Sequence, residues 1–137
     1  MTIQEKADRA AELKKTGAMN CCRAVTSVLA DTVSLSEEDL HKLSAGFAAG
    51  MGCMEATCGA LVGANMILGM RTDGNGTVKL SRELLSKFRE KCGAVTCKDL
   101  KGVSTGQVLC ECENCCRNAV LALGEVLDEQ TQNLADS

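Results

Sequence analysis

Residues 55–70 read EATCGALVGANMILGM, and this stretch decides the fold. Between Glu55 and Arg71 there is no formal charge, and apolar side chains fall on every side of the helical wheel. A helix that is apolar all round is buried. Gly59 and Gly63 stand four residues apart, on one face, where a neighbouring helix can approach the backbone closely. The expectation is an all-α protein: a compact bundle of five to six helices around a buried, small-residue central helix of about Glu55 to Met70.

Outward from this segment the pattern stays helical, with glycine as punctuation. Thr2 and Glu5 make a capping box, and Gly17 closes the first helix. A second helix, from about Asn20 to Ala30, places Cys21, Val25, Val28 and Leu29 on one face. Ser36 caps a third, whose first turn carries Glu37, Glu38 and Asp39 against the positive end of the dipole. That helix decays into AGFAAGMG (45–52). Beyond the RTDGNG loop (71–76), a fifth helix carries Leu84, Leu85, Phe88 and Cys92 on one side. Thr96–Leu100 reads as a short turn, and a last helix from about Glu111 aligns Cys112, Cys116, Val120, Leu123 and Leu127. The DGNG loop is similar to the middle of a calcium-binding loop. Arg71 and Arg82 would then occupy positions that require carboxylates, so it is a turn.

Length and composition remove several function classes. The chain has 137 residues, which suits a single cysteine-rich helical domain over residues 1–137. A net charge of −3 with both signs interspersed provides no basic stripe for nucleic acid. The span from Lys42 to Arg71 holds only Glu55 as a charge and is long enough to cross a bilayer. Its content is mainly small residues, and Gly46, Gly50 and Gly52 interrupt its first half, so a core helix is expected and no membrane insertion. The first residues, MTIQEKADRAAELKK, lack an apolar signal core. A cytoplasmic location is expected, where thiols are kept reduced and cysteines serve metal or redox chemistry more than structural bridges. No GxSxG elbow, phosphate-binding loop or dinucleotide glycine fingerprint is present.

What remains is sulfur. The ten cysteines fall as Cys21-Cys22, Cys53 with Cys58, Cys92 with Cys97, Cys110 with Cys112, and Cys115-Cys116. Three follow a good N-capping residue: Asn20-Cys21, Thr57-Cys58 and Thr96-Cys97. A thiol at the positive end of a helix is more readily a thiolate, the form that attacks disulfides and binds metals. The segment CECENCC (110–116) is the densest group, and its Cys112 and Cys116 share a helix face at i,i+4. Converging thiolates suit a soft cation or an iron–sulfur cluster. Paired C-x-x-C knuckles are absent, and the lone His41 is isolated, so a zinc ribbon is not signalled. Cys22, Cys53 and Cys92 lack distinctive neighbours and are expected to do no more than pack.

In order, Asn20-Cys21, GFAAGMG (46–52), TCGALVG (57–63), CKDLKG (97–102) and CRNAV (116–120) make a pattern that resembles the C_GCAxxG_C_C family of small prokaryotic redox-active proteins. The resemblance covers roughly residues 20–127, and Cys58-Gly59-Ala60-x-x-Gly63 matches the CGAxxG motif in full. It implies that Cys21, Cys58, Cys97 and Cys116 are the four signature cysteines, with Cys115 the rival for the last place and Cys22 for the first. It further implies redox-active thiols and, by association with related domains, an iron–sulfur cluster.

The leading expectation is a small redox protein that holds an iron–sulfur cluster on Cys21, Cys58, Cys97 and Cys116, for electron transfer or redox sensing. Gly59 and Gly63 would allow close backbone approach, and Cys110, Cys112 and Cys115 are additional ligand candidates. The first alternative is a thiol–disulfide oxidoreductase that attacks through Cys58 or Cys97. The second is a zinc or copper binding or storage protein built on CECENCC. A redox partner is implied but not named by the sequence, and the small-residue helices offer a surface on which a homodimer can form.

Overall fold

The computed structural model describes residues 1–136, with side chains through residue 132. Among these residues are seven helices and no strand. They are α1 (Ile3–Lys15), α2 (Cys21–Leu29), α3 (Glu37–Ser44), α4 (Gly59–Arg71), α5 (Thr77–Cys92), α6 (Cys97–Lys101) and α7 (Cys112–Asp136). None is long and apolar enough to cross a membrane. The seventh helix beyond the expected five to six is α6. The segment expected as a turn closes into five helical residues because Gly102, at φ 70°, turns its N–H back onto the Asp99 and Lys98 carbonyls.

The helix starts follow local chemistry. Thr2 and Glu5 exchange both bonds of a capping box. Asn20 Oδ1 accepts from the Arg23 N–H at 2.9 Å, and Ser36 Oγ accepts from that of Asp39 at 3.1 Å. The long α7 lies along α1 and also packs against α2, α4 and α5, while α2 and α4 pack on each other. The core between them holds Val25, Leu29, Ile67, Leu68, Leu84, Phe88, Val120, Leu123 and Val126. Close approach is set by glycine. A Cβ on Gly63 would lie 2.9 Å from the Cys22 carbonyl oxygen, and one on Gly124 would lie 2.7 Å from Ile3 Cγ1.

The central helix is buried as expected but starts later, at Gly59 rather than near Glu55. Two features upstream prevent an earlier start. Ala49, Gly50, Met51, Gly52 and Met54 all have left-handed φ values, of 54°, 58°, 60°, 79° and 65°, so the chain there coils the wrong way for an α-helix. Residues 56–58 are then held extended against 95–97. Thr57 bridges Thr96 in antiparallel fashion, the Cys58 N–H donates to the Val95 carbonyl at 2.8 Å, and the Cys97 N–H donates to that of Ala56 at 3.0 Å. Thr57 is therefore a bridge residue, and Cys58 itself takes the N-cap position of α4. This bridge seats Cys58 and Cys97 side by side.

Candidate thiolate site

All ten cysteines are free thiols, and six of them surround one cavity. It has a volume of about 270 Å³ and is lined by Cys21, Cys58, Cys97, Cys110, Cys112 and Cys115. Lys14 and Lys101 also line it, with Ala49, Gly59 and Leu100 among the remaining wall residues. The sulfurs arrive from separate segments. Cys21 opens α2, Cys58 caps α4, Cys97 opens α6, Cys110 ends the preceding loop, and Cys112 and Cys115 lie in the first turn of α7. The Asn20 cap places Cys21 and the bridge places Cys58 and Cys97, so the cavity lies where these helices begin.

Two glycines make the space. A Cβ on Gly59 would stand 2.6 Å from both Cys21 Sγ and the Phe47 carbonyl oxygen. A Cβ on Gly50 would stand 2.7 Å from Cys97 Cβ, and Gly50 has a φ of 58°, which disfavours other residues as well. The glycine of the CGAxxG motif thus admits the Cys21 thiol to the wall, and Gly63 serves the packing of α2 on α4 one turn away.

Two of the six, Cys110 and Cys115, join Cys92 in a tighter group. The sulfurs of Cys92, Cys110 and Cys115 are all within 4.8 Å of one another, and all three residues are buried. Asn118, one turn after Cys115 on α7, points Nδ2 at Cys92 Sγ (3.4 Å) and Cys110 Sγ (3.9 Å). Cys58 adjoins the group through hydrogen bonding with Cys115.

These contacts sort the thiols by acidity. The Cys115 hydrogen bond, helped by the Leu61 and Ala60 amides at the start of α4, outweighs burial and holds Cys58 down at about 7. Bonds from Cys110 and Cys115, with the Asn118 amide, bring Cys92 below the ordinary thiol range. The donors move the other way: Cys115 goes up because the neighbouring Cys110, Cys58 and Cys92 sulfurs favour its protonated form and burial adds to this, and in the structure its thiol donates to the Cys110 carbonyl at 3.6 Å. At Cys110 the bond from Cys115 acts downward, but the bond to Cys92 and burial prevail and leave it at about 11. Burial raises Cys21 and Cys97, opposed in part by the Ala49 amide and by Lys101 respectively. Hydrogen bonds to a charged sulfur favour the thiolate, and desolvation disfavours it. The site is therefore a set of neighbouring thiols whose acidities are spread by hydrogen bonding and burial, and metal binding would require them to release their protons.

Of the four signature positions that the family resemblance implies, Cys21, Cys58 and Cys97 line the cavity. Cys116 lies behind it: fully buried, its thiol donates to the Cys21 carbonyl at 3.7 Å. Cys112, one turn earlier on the same helix face, and Cys115 reach the cavity instead. Cys22 is fully buried in the core, where burial pushes its thiol up to about 12, and Cys53 is exposed. Cys92, expected only to pack, belongs to the close trio. Asn118 was not singled out by sequence; its signal was a polar amide three residues after a cysteine, between Arg117 and the apolar run that begins at Ala119.

A family of redox-active proteins and a buried cysteine cluster fit redox or metal-binding chemistry. No curated protein and no solved structure matches the chain. Residues 19–126 match the family described as "Putative redox-active protein (C_GCAxxG_C_C)", a span that holds the CGAxxG helix start and all six cavity cysteines, and the chain belongs to that family.

Proposed function

We propose that the cavity holds an iron–sulfur cluster and that the protein works in electron transfer or redox sensing in a reducing, cytoplasmic setting, with a separate redox protein as its partner. The observation that carries this reading is the convergence of six thiols on a cavity of about 270 Å³. That volume exceeds what one ion needs, and the donor set is all sulfur, as such clusters require. Cys21, Cys58 and Cys97 would be three ligands, as their sequence positions imply. Cys112 is the fourth that the cavity favours, because it lines the wall and lies close enough to Cys21 and Cys97 to act on both electrostatically. A bound cluster supplies one-electron exchange; the chain supplies the thiolates, excludes water with Leu100 and Ala49, and offsets negative charge with Lys14 and Lys101.

Anaerobic purification or reconstitution, followed by iron and acid-labile sulfide assays, tests this. Iron and sulfide in equal amounts are expected, together with charge-transfer absorption in the visible. Cys112→Ser should lose them and Cys116→Ser should keep them. Protein that takes up neither element under reconstitution rules the reading out.

A second reading has its own support in Cys58, whose thiol is held at about 7 beside Cys115. Here the Cys58 thiolate attacks an external disulfide, one thiol leaves, and Cys115 displaces the second to leave a Cys58–Cys115 disulfide. Two protein thiols are oxidised and one disulfide is reduced. Burial raises Cys97, which favours Cys58 over Cys97 as the attacking group.

A further inference from the structure

We propose that Cys92, Cys110 and Cys115 form a second site, adjoining the cavity, that takes a single copper(I) ion. The three sulfurs lie within 4.8 Å of one another. An ion about 2.3 Å from each of three thiolates needs them about 4 Å apart, so only a small closure separates this arrangement from a ligand set. The residues are 4 %, 9 % and 2 % exposed, which makes the site nearly dry. No carboxylate or imidazole joins the group, and an all-thiolate set selects soft ions.

Coordination number decides which soft ion. A structural zinc site takes four ligands, whereas copper(I), with a filled d shell and a single charge, is satisfied by three. The next thiol, Cys58, faces the cavity and is assigned above to the cluster; the inference rests on the cluster reading in that respect alone. Asn118 completes the site from outside. Its amide donates toward Cys92 at 3.4 Å and Cys110 at 3.9 Å, which orients both sulfurs and offsets their negative charge without occupying a coordination position. The ligands come from the end of α5, the loop between α6 and α7, and the first turn of α7, so two of the three are mounted on packed helices. Cys110 and Cys115 also face the cavity while Cys92 does not, which gives an ion a route inward and places the site in the cavity wall.

The test is copper(I) titration of the full-length, anaerobically reduced protein against a chromophoric copper(I) chelator, with iron and sulfide measured on the same samples. One copper(I) per chain is expected. Cys92→Ser should weaken it at least 100-fold while iron and sulfide stay at the parent level. Asn118→Leu should weaken it 10- to 100-fold with the helical circular dichroism unchanged, so the outcome does not hang on one variant's folding. Cys97→Ser should lose iron yet bind copper(I) as the parent does. If Cys92→Ser binds copper(I) as tightly as the parent, the site is refuted. If Cys97→Ser weakens copper as much as Cys92→Ser, the ion sits in the cavity and the inference is wrong. Zinc that displaces copper(I) from the trio overturns the choice of ion. Failure of the cluster reading would show separately, as iron-free parent protein that still gives the Cys92-dependent copper pattern.

Discussion

Gly59→Ala adds one methyl group to α4 and should both destabilise the protein and disturb the cavity. The new Cβ would stand 2.6 Å from Cys21 Sγ and 2.6 Å from the Phe47 carbonyl oxygen. Ordinary contact begins near 3.4 Å, so each neighbour must retreat by about 0.8 Å. One of them is backbone and cannot rotate away. Overpacking of this kind costs about 1–3 kcal/mol, which for a chain of this length is a fall of roughly 3–12 °C in Tm. A control stands on the same helix. Gly69 has nothing within 4 Å of its ideal Cβ, so Gly69→Ala should gain about 0.5–1 kcal/mol from helix propensity alone. Urea unfolding of both variants under reducing, anaerobic conditions measures the difference, expected at about 1.5–4 kcal/mol between them. Equal stability of the two variants would refute the claim that the motif glycine is there for the Cys21 thiol. Iron uptake read in parallel should fall in Gly59→Ala and be unaffected in Gly69→Ala.

Gly50→Ala meets two penalties, a left-handed φ of 58° and a Cβ contact of 2.7 Å with Cys97; it should lose about 2 kcal/mol or more in the same unfolding assay. In metal-free, reduced protein, alkylation of Cys58 should titrate near pH 7, and Cys115→Ala should move that midpoint upward toward the ordinary thiol range, because the lost thiol is the donor that favours the thiolate; an unmoved midpoint, read by mass spectrometry across pH, removes Cys115 from that role. Lys6 holds the Asp31 carboxylate at 2.8 Å and lowers its pKa in the folded state. A carboxyl depressed on folding contributes stability that is present above its unfolded pKa of about 3.9 and is lost as pH falls through the folded value. Lys6→Met should therefore flatten the loss of stability below about pH 4, measured by denaturant unfolding at successive pH values; an acid limb identical to the parent's would count against it. Phe88→Ala should cost about 3–5 kcal/mol, since Phe88 is fully buried at the centre of the core.

The central helix was legible because an uncharged stretch around Gly59 and Gly63 admits one environment, the interior. The caps at Thr2, Asn20 and Ser36 were legible because each rests on a side chain within three residues of the bond it makes. The start of α4 was not. Ala49, Met51 and Met54 adopt a backbone that glycine usually signals, and the bridge between Thr57 and Thr96 is a tertiary pairing that neither segment announces. The site divides in the same way. Cys21, Cys58 and Cys97 were marked by capping residues and by the family pattern. Cys92 carried no local mark, because what distinguishes it is the arrival of Cys110 and Cys115 from chain segments beyond the next helix. Cys112 and Cys116 share a helix face, and spacing cannot tell which end of that face meets the cavity; packing beneath α2 takes Cys116 into the core.

The distribution of the cavity cysteines along the chain would tie the proposed cluster to folding. Cys21, Cys58, Cys97 and Cys112 are separated by 37, 39 and 15 residues, so one bound group joining them closes three loops at once. Treated as cross-links, such closures restrict the unfolded chain by about 3–4 kcal/mol each, a sum comparable with the whole stability of a typical domain. A cluster held as proposed would therefore lengthen the time the chain resists unfolding and proteolysis. If the proposed cluster were lost to oxygen, these cross-links would go with it, so the chain's resistance to proteolysis would follow redox state without a dedicated conformational switch.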